Sequence, residues 1–129
     1  VKHPTTQTLV MWAGASGDFY QIHYDKDFAH EKGLPGVIVH GALKHAWLGQ
    51  MLVDWIGEAG TLKKYGCQYR GMDVPWQPLT CTGKVTKTYV QGREHLVDCD
   101  IWTETAKGEK TSPGTATVAL PSRARARAR

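Results

Sequence analysis

The spacing of apolar residues changes period once along the chain. Up to about residue 60 it is helical. In "TTQTLVMWAGASGD", Leu9, Val10, Trp12 and Ala13 follow a polar Thr5–Thr6 pair, which predicts a short helix capped by Thr5 or Thr6 and ended near Gly14 or Gly17. "DKDFAHEKG" predicts a second short helix with Asp25 as its cap and Gly33 as its stop. A Leu-Pro-Gly break leads into the longest apolar stretch, "VIVHGALKHAWLGQMLVDWIG". Val39, Leu43, Ala46, Trp47, Gln50, Met51 and Trp55 recur near the helical period. Ile38, Ala42, Leu48, Leu52 and Ile56 widen that face over most of the circumference, which predicts a buried helix.

From Leu62 onward the period is two. "YGCQYRGM", "LTCTGKVTKTYV", "REHLVDCDIWTET" and "GTATVAL" read as four strands, and in the third Val97, Cys99 and Ile101 alternate with Asp98 and Asp100, the mark of a half-buried strand. "VQGR" and "AKGE" place Gly92 and Gly108 at tight connections, and "VPWQP" supplies a longer bend. Short connections make sequential strands neighbours. The expected architecture is therefore α+β, an antiparallel sheet wrapped around one long central hydrophobic helix.

Composition adds limits. With 129 residues, 41% hydrophobic and 22% charged, the chain suits one globular domain over residues 1–121. It contains no run of about 18 apolar residues and no charged-then-apolar leader, so the expected location is cytoplasmic, away from membranes. The net charge of +4 belongs to the end of the chain: setting aside Arg123, Arg125, Arg127 and Arg129 leaves 12 basic against 12 acidic residues. Alternating Arg and Ala buries too little surface to offset ordering entropy, so residues 122–129 are expected to form a disordered basic tail. Those arginines have no aromatic platform beside them, which argues against nucleic-acid binding. Cys67, Cys81 and Cys99 are odd in number and lack CxxC pairing, so they read as reduced structural thiols.

The candidate chemistry lies in "ASGDFYQIHYD", Ala15 to Asp25. Asp18 and His23 stand five residues apart, after Gly17 and around the aromatic pair Phe19 and Tyr20, in a segment without helical periodicity. Such spacing suits two polar heads held over a shared cavity. His23 and Asp25 lack a third metal ligand, and His3, His30 and His95 have no partner at metal spacing. Neither a metal nor a cofactor is expected. His40 is expected to cap or pack the start of the long helix, on which His45 also lies.

The order "SGD-FYQ-IHYD", a Pro-Gly break, "IVHGAL" opening a long helix and "YRGMDVPWQPLTCTGKV" resembles the MaoC-like, or R-specific enoyl-CoA hydratase, branch of the hot dog fold, from about Thr5 to Leu120. The family pattern G-D-x-N-P-[IL]-H runs without a gap over Gly17, Asp18, Ile22 and His23, with Tyr20 and Gln21 in place of Asn-Pro. The resemblance implies that Asp18 and His23 form a dyad activating one water, and that the Gly41 N–H, at the positive end of its helix, meets a thioester carbonyl. The implied reaction is addition of water to a 2-enoyl thioester or its removal from a 3-hydroxyacyl thioester. Tyr20, Gln21, His40 and Arg70 become candidate substrate contacts, Tyr20 as a pocket wall. Arg70, Lys63 and Lys64 are placed to meet the phosphates of a CoA or carrier-protein arm, though a solvated strand face accounts for them equally. Two alternatives stay open: a thioesterase on the same fold, and a non-catalytic subunit that completes a partner's site, the latter because Tyr20 replaces Asn. The expected partners are an acyl-CoA or acyl-carrier-protein thioester and a second hot dog chain, identical or related, joined edge to edge in a two-fold dimer.

Overall fold

The computed structural model describes residues 1–122, so the expected tail lies outside the described residues from 123 onward. Helix α1 (Thr6–Ser16), a single 3-10 turn over Gln21–His23, α2 (Lys26–Glu31) and α3 (Gly41–Ile56) precede four strands, β1 (Thr61–Cys67), β2 (Leu79–Gln91), β3 (Glu94–Thr105) and β4 (Gly114–Leu120). Among the described residues, no helix is long and apolar enough to cross a membrane.

The local signals act where the sequence places them. Thr5 caps α1 in a reciprocal capping box with Thr8: the Thr8 N–H donates to Thr5 Oγ1 at 3.2 Å and the Thr5 N–H to Thr8 Oγ1 at 3.1 Å. Asp25 Oδ1 accepts the Phe28 N–H at 3.1 Å and opens α2. Gly92 takes a positive φ at the first position of a two-residue turn that pairs Gln91 with Glu94.

All strand pairings are antiparallel, in the order β1-β4-β3-β2. This corrects one expectation. The strands β2, β3 and β4 are sequential neighbours, but β1 pairs with β4, so β1 and β2 occupy opposite edges. The reason is the segment 68–78. The run "YGCQYRGM" stops being strand at Cys67, and the chain then crosses the start of α3 to reach the far edge. There, the Val39 N–H donates to the carbonyl of Asp73 at 2.8 Å.

The inner face of the sheet carries Val97, Cys99, Ile101 and Ala116, which pack with Leu48 and Leu52 of α3. A second cluster joins Leu9 of α1 to Val39 and Leu43, flanked by Trp12 and Trp47. Bulges between Val85 and Lys87 and between Leu62 and Lys64 sharpen the local twist, and the curled sheet holding a central helix is the hot dog fold. A second expectation is corrected here. Helix α3 is buried along Leu43, Lys44, Leu48, Gly49 and Leu52, while Ala42, Gln50, Val53 and Trp55 are exposed. One four-stranded sheet covers one stripe of a helix rather than its circumference.

Candidate active site

Helix α1 delivers the first acidic group. Gly17 closes the helix in the left-handed region, φ 78°, with its N–H on the Ala13 carbonyl at 2.9 Å. That conformation suits glycine, and it turns Asp18 out of the helix. The Asp18 carboxylate is 43% exposed and accepts only a long bond, 3.4 Å, from the Tyr20 N–H.

His23 sits on the 3-10 turn and is buried. Its Nδ1 lies 2.8 Å from the carbonyl oxygen of Ile38, and the Ile38 N–H returns a bond to the Ile22 carbonyl at 3.1 Å. A carbonyl only accepts, so Nδ1 carries the proton and the neutral ring presents its lone pair at Nε2. That Nε2 stands 3.9 Å from Asp18 Oδ2. The separation is too long for a direct hydrogen bond, and it matches two acceptors that share one donor molecule bonded to each at about 2.8 Å.

His40 completes the cluster. It is the N-cap residue of α3 but makes no capping bond with its side chain. Instead its ring is wholly buried and stacks on that of His23, centroids 3.8 Å apart and planes 21° from parallel. Of the two expected roles, packing is the one it fills. Burial is the main cause that holds its imidazole below the usual histidine range; repulsion from His23, when that ring is protonated, adds to this, and the carboxylate and backbone of Asp18 oppose it. Neither ring nitrogen has a hydrogen-bond partner among the described residues.

Asp18, His23 and His40 each offer one ligand atom within 4.8 Å of the others. This trio differs from the His23–Asp25 pair weighed from sequence, since Asp25 is turned to α2. Imidazole lone pairs lie in the ring plane, however, and two nearly parallel planes do not meet at one ion about 2.1 Å from both nitrogens. The rings as stacked suit a proton-handling site better than a metal centre.

Gly41 begins α3 directly after His40. A Cβ there would lie 2.6 Å from Cδ2 and 2.8 Å from Cγ of Tyr69, so the ring of Tyr69 lies flush against the helix start. Its hydroxyl meets His45 Nδ1 at 3.3 Å. With no side-chain cap from His40, the first N–H groups of α3 are those free to meet an anion.

A family model described as MaoC like domain matches residues 2–116. The chain belongs to the MaoC-like domain family. In sequence it is 34% identical over 70 residues to the fatty acid synthase beta subunit TOXC of Cochliobolus carbonum. It is 28% identical over 81 residues to the beta subunit of the 3-oxo-4,17-pregnadiene-20-carboxyl-CoA hydratase of Mycobacterium tuberculosis. These stretches cover 53% and 60% of the chain, and the chain spans only 3% of the synthase subunit and 60% of the hydratase subunit. In structure it matches the (R)-hydratase from A. caviae involved in PHA biosynthesis with a TM-score of 0.82 at 21% identity, covering 93% of this chain and 90% of that one. The ChsH1-ChsH2 complex from Mycobacterium tuberculosis gives 0.79 at 20% identity, covering 92% and 90%. At those identities the likeness shows the shared fold.

Other residues of this MaoC-like domain picked out from sequence are more scattered. Tyr20 is half exposed and meets His23 edge-on at 6.3 Å and Phe28 at 6.0 Å, so it stands at the rim beside the histidine. The side chain of Gln21 is exposed, and its carbonyl accepts from Tyr24 and Asp25. Arg70 is exposed and its Nε donates to Gln68 at 2.7 Å, while Lys63 is paired with Glu94 at 2.8 Å. Cys67, Cys81 and Cys99 are free thiols, and burial pushes each one up, away from the reactive thiolate.

Sequence reasoning passed over Lys44, Asp73 and Tyr69. Lys44 and Asp73 are buried and joined Nζ to Oδ2 at 2.9 Å. One signal was available: Lys44, Leu48 and Leu52 share a four-residue spacing, which puts the lysine on the buried stripe.

The lowered His40 has a measurable effect. Below about pH 6.5 the unfolded chain takes up a proton that the folded ring resists. Stability is therefore full above that value and falls as pH drops from it toward the folded value, by at most about 1.4 kcal/mol per pH unit for one group. His40→Gln should flatten this part of a melting-temperature profile between pH 7 and 5. Identical slopes in the two proteins would remove His40 as the cause.

Proposed function

We propose that this MaoC-like domain adds water to a 2-enoyl thioester, or removes it from the corresponding 3-hydroxyacyl thioester. The observation that carries this reading is the pair formed by His23 Nε2 and Asp18 Oδ2, two acceptors 3.9 Å apart and close to the start of α3. A water that donates one hydrogen to each is oriented with its oxygen lone pair toward C3 of a bound enoyl group. As the oxygen bonds to C3, one proton passes to the dyad, and the electron pair of the double bond moves onto the thioester oxygen. The Gly41 N–H and the positive end of α3 stabilise that enolate. Return of the proton to C2 completes the addition, and the reverse sequence expels water.

The bond from Nδ1 to Ile38 supports the assignment, because it keeps Nε2 free to receive a proton. The names of the relatives agree with it: two are hydratases, and a third is a subunit of a fatty acid synthase. A thioesterase would need a carboxylate acting on the thioester carbon, whereas the Asp18 carboxylate faces His23 Nε2 across 3.9 Å. Tyr20, in the place of the family's Asn, stands edge-on beside His23 with its ring centroid 6.3 Å away, where it would form one wall of the approach.

The test is loss of the conjugated enoyl absorbance when the purified protein meets crotonyl-CoA. Absence of turnover, both alone and with a related hot dog chain supplied, would instead favour the non-catalytic subunit. We further assign the chain to a two-fold assembly with itself or a related chain, as the ChsH1-ChsH2 neighbour is a complex of two. Phe19, Tyr24, Tyr69, Met72 and Trp76 are exposed apolar groups, and β1 is an edge strand; both need cover. Sedimentation at micromolar concentration should give twice the chain mass for the protein alone or with its partner. A monomer under both conditions would rule the assembly out.

A further inference from the structure

Lys44 is 1% exposed and projects from the first turn of α3, in line with Leu48 and Leu52. Nothing about stability requires a lysine there. Replacing a buried ion pair by apolar side chains of similar volume is commonly neutral or favourable, and a cation in the first turn opposes the helix dipole. The ammonium is nevertheless well held, with 2.9 Å to Asp73 Oδ2 and 3.0 Å to the Gly71 carbonyl. Both partners belong to the segment that crosses over the start of α3. The carbonyl of Asp73 takes the Val39 N–H at 2.8 Å, and Lys44's own N–H closes the first helical bond on His40 at 3.2 Å. Gly71 is in turn pressed on Thr111, where a Cβ would come within 2.7 Å of the threonine methyl, and its N–H donates to the Thr111 carbonyl at 2.9 Å. Residues 39–44 are thus held at both ends by 71–73.

We propose that the Lys44–Asp73 pair is a positioning device for the reaction, which fixes the backbone from Val39 to Gly41 against the dyad and keeps the start of α3 electrostatically positive. The second half follows from charge. Asp73 places a carboxylate next to the helix end where a negative enolate oxygen is to form, and Lys44 neutralises it. Removing Lys44 alone leaves an anion facing a developing anion. Removing the charge of Asp73 alone leaves a cation, which does not oppose the enolate. A pair that only filled space would shift the melting temperature of these variants without lowering kcat. The inference rests on the hydratase reading for its rate, but its geometric half stands apart from it.

The experiment compares Lys44→Met, Asp73→Asn and the double variant Lys44→Met/Asp73→Leu, reading kcat and KM with crotonyl-CoA, melting temperature, and hydrogen exchange at the Val39 and Gly41 amides. Lys44→Met should lose the most kcat, at least tenfold more than Asp73→Asn, with KM changed much less. The double variant should regain the melting temperature lost by Lys44→Met while kcat stays well below wild type and both amides exchange faster than in wild type. A double variant with wild-type kcat and wild-type exchange overturns the proposal and leaves the pair a packing element. Equal losses of kcat in the two single variants overturn its electrostatic half. If wild type shows no hydratase activity, the functional reading fails, and the exchange rates still decide whether the pair positions residues 39–41. Should Lys44→Met not fold, Lys44→Gln, which removes the charge but keeps a donor to Asp73, replaces it in the comparison of kcat with Asp73→Asn, and the double variant still decides the geometric half.

Discussion

Asp18→Asn should lower kcat for crotonyl-CoA by about 10² to 10⁴-fold, the usual contribution of a general acid–base group, without moving the melting temperature. The carboxylate is exposed and holds the structure only through one long bond from the Tyr20 N–H, so its loss as a proton acceptor is separable from stability. The partner residue needs a different substitution. His23 is buried, bonded to the Ile38 carbonyl and stacked on His40. His23→Ala would strand that carbonyl at a cost of about 1–3 kcal/mol. His23→Asn keeps a donor where Nδ1 stood and removes Nε2, so it should match the kcat of Asp18→Asn with a smaller loss of stability. Groups that act as one unit are not additive, and the double variant should be little slower than either single one. An Asp18→Asn protein that turns over crotonyl-CoA at the wild-type rate would make the segment from Ala15 to Asp25 structural only.

Gly41→Ala should cost on the order of 10² in kcat, the scale on which a misplacement of about 1 Å is felt. The backbone N–H survives this change. What does not survive is the fit to Tyr69, since the new Cβ would lie 2.6–2.9 Å from three ring atoms at the root and side of that ring. Either the ring swings away and loses His45, or the helix start shifts. Adding Tyr69→Ala makes room for the methyl, so the double variant should recover much of the rate if position is the cause. A Gly41→Ala protein with unchanged kcat would show that the fit of Tyr69 to Gly41 does not set the position of the helix start.

The residues whose meaning is local were legible in the sequence. Thr5 and Asp25 as caps, Gly17 and Gly92 as turns, and the alternation of Val97, Cys99 and Ile101 each depend on a few neighbours along the chain. Asp18 and His23 were legible as a pair because one short loop carries both. The stacking of His40 on His23 was not, since it joins residues on either side of the Pro-Gly break. The place of β1 beside β4 was hidden for a related reason: segment 68–78 is long enough to reach either edge, and its choice is fixed by bonds to Val39, Lys44 and Thr111. Lys44 was passed over because a lysine on a helix is ordinarily a solvated one, and its counter-ion lies 29 positions away in a segment without periodicity.

Because the core is divided, the protein has two ways to come apart. Leu9, Val39 and Leu43 knit α1 to the start of α3, whereas Leu48, Leu52, Cys99, Ile101 and Ala116 bind the rest of α3 to the sheet. Asp18 directly follows α1 and Gly17, and His23 is tied to the Ile38 carbonyl beside Val39. Loss of the smaller cluster frees α1, and Asp18 with it, from the start of α3, and it leaves the strand ladder standing. In a urea titration, turnover should therefore vanish at a lower concentration than the far-ultraviolet signal of the sheet, with an inactive, partly folded species between the two midpoints.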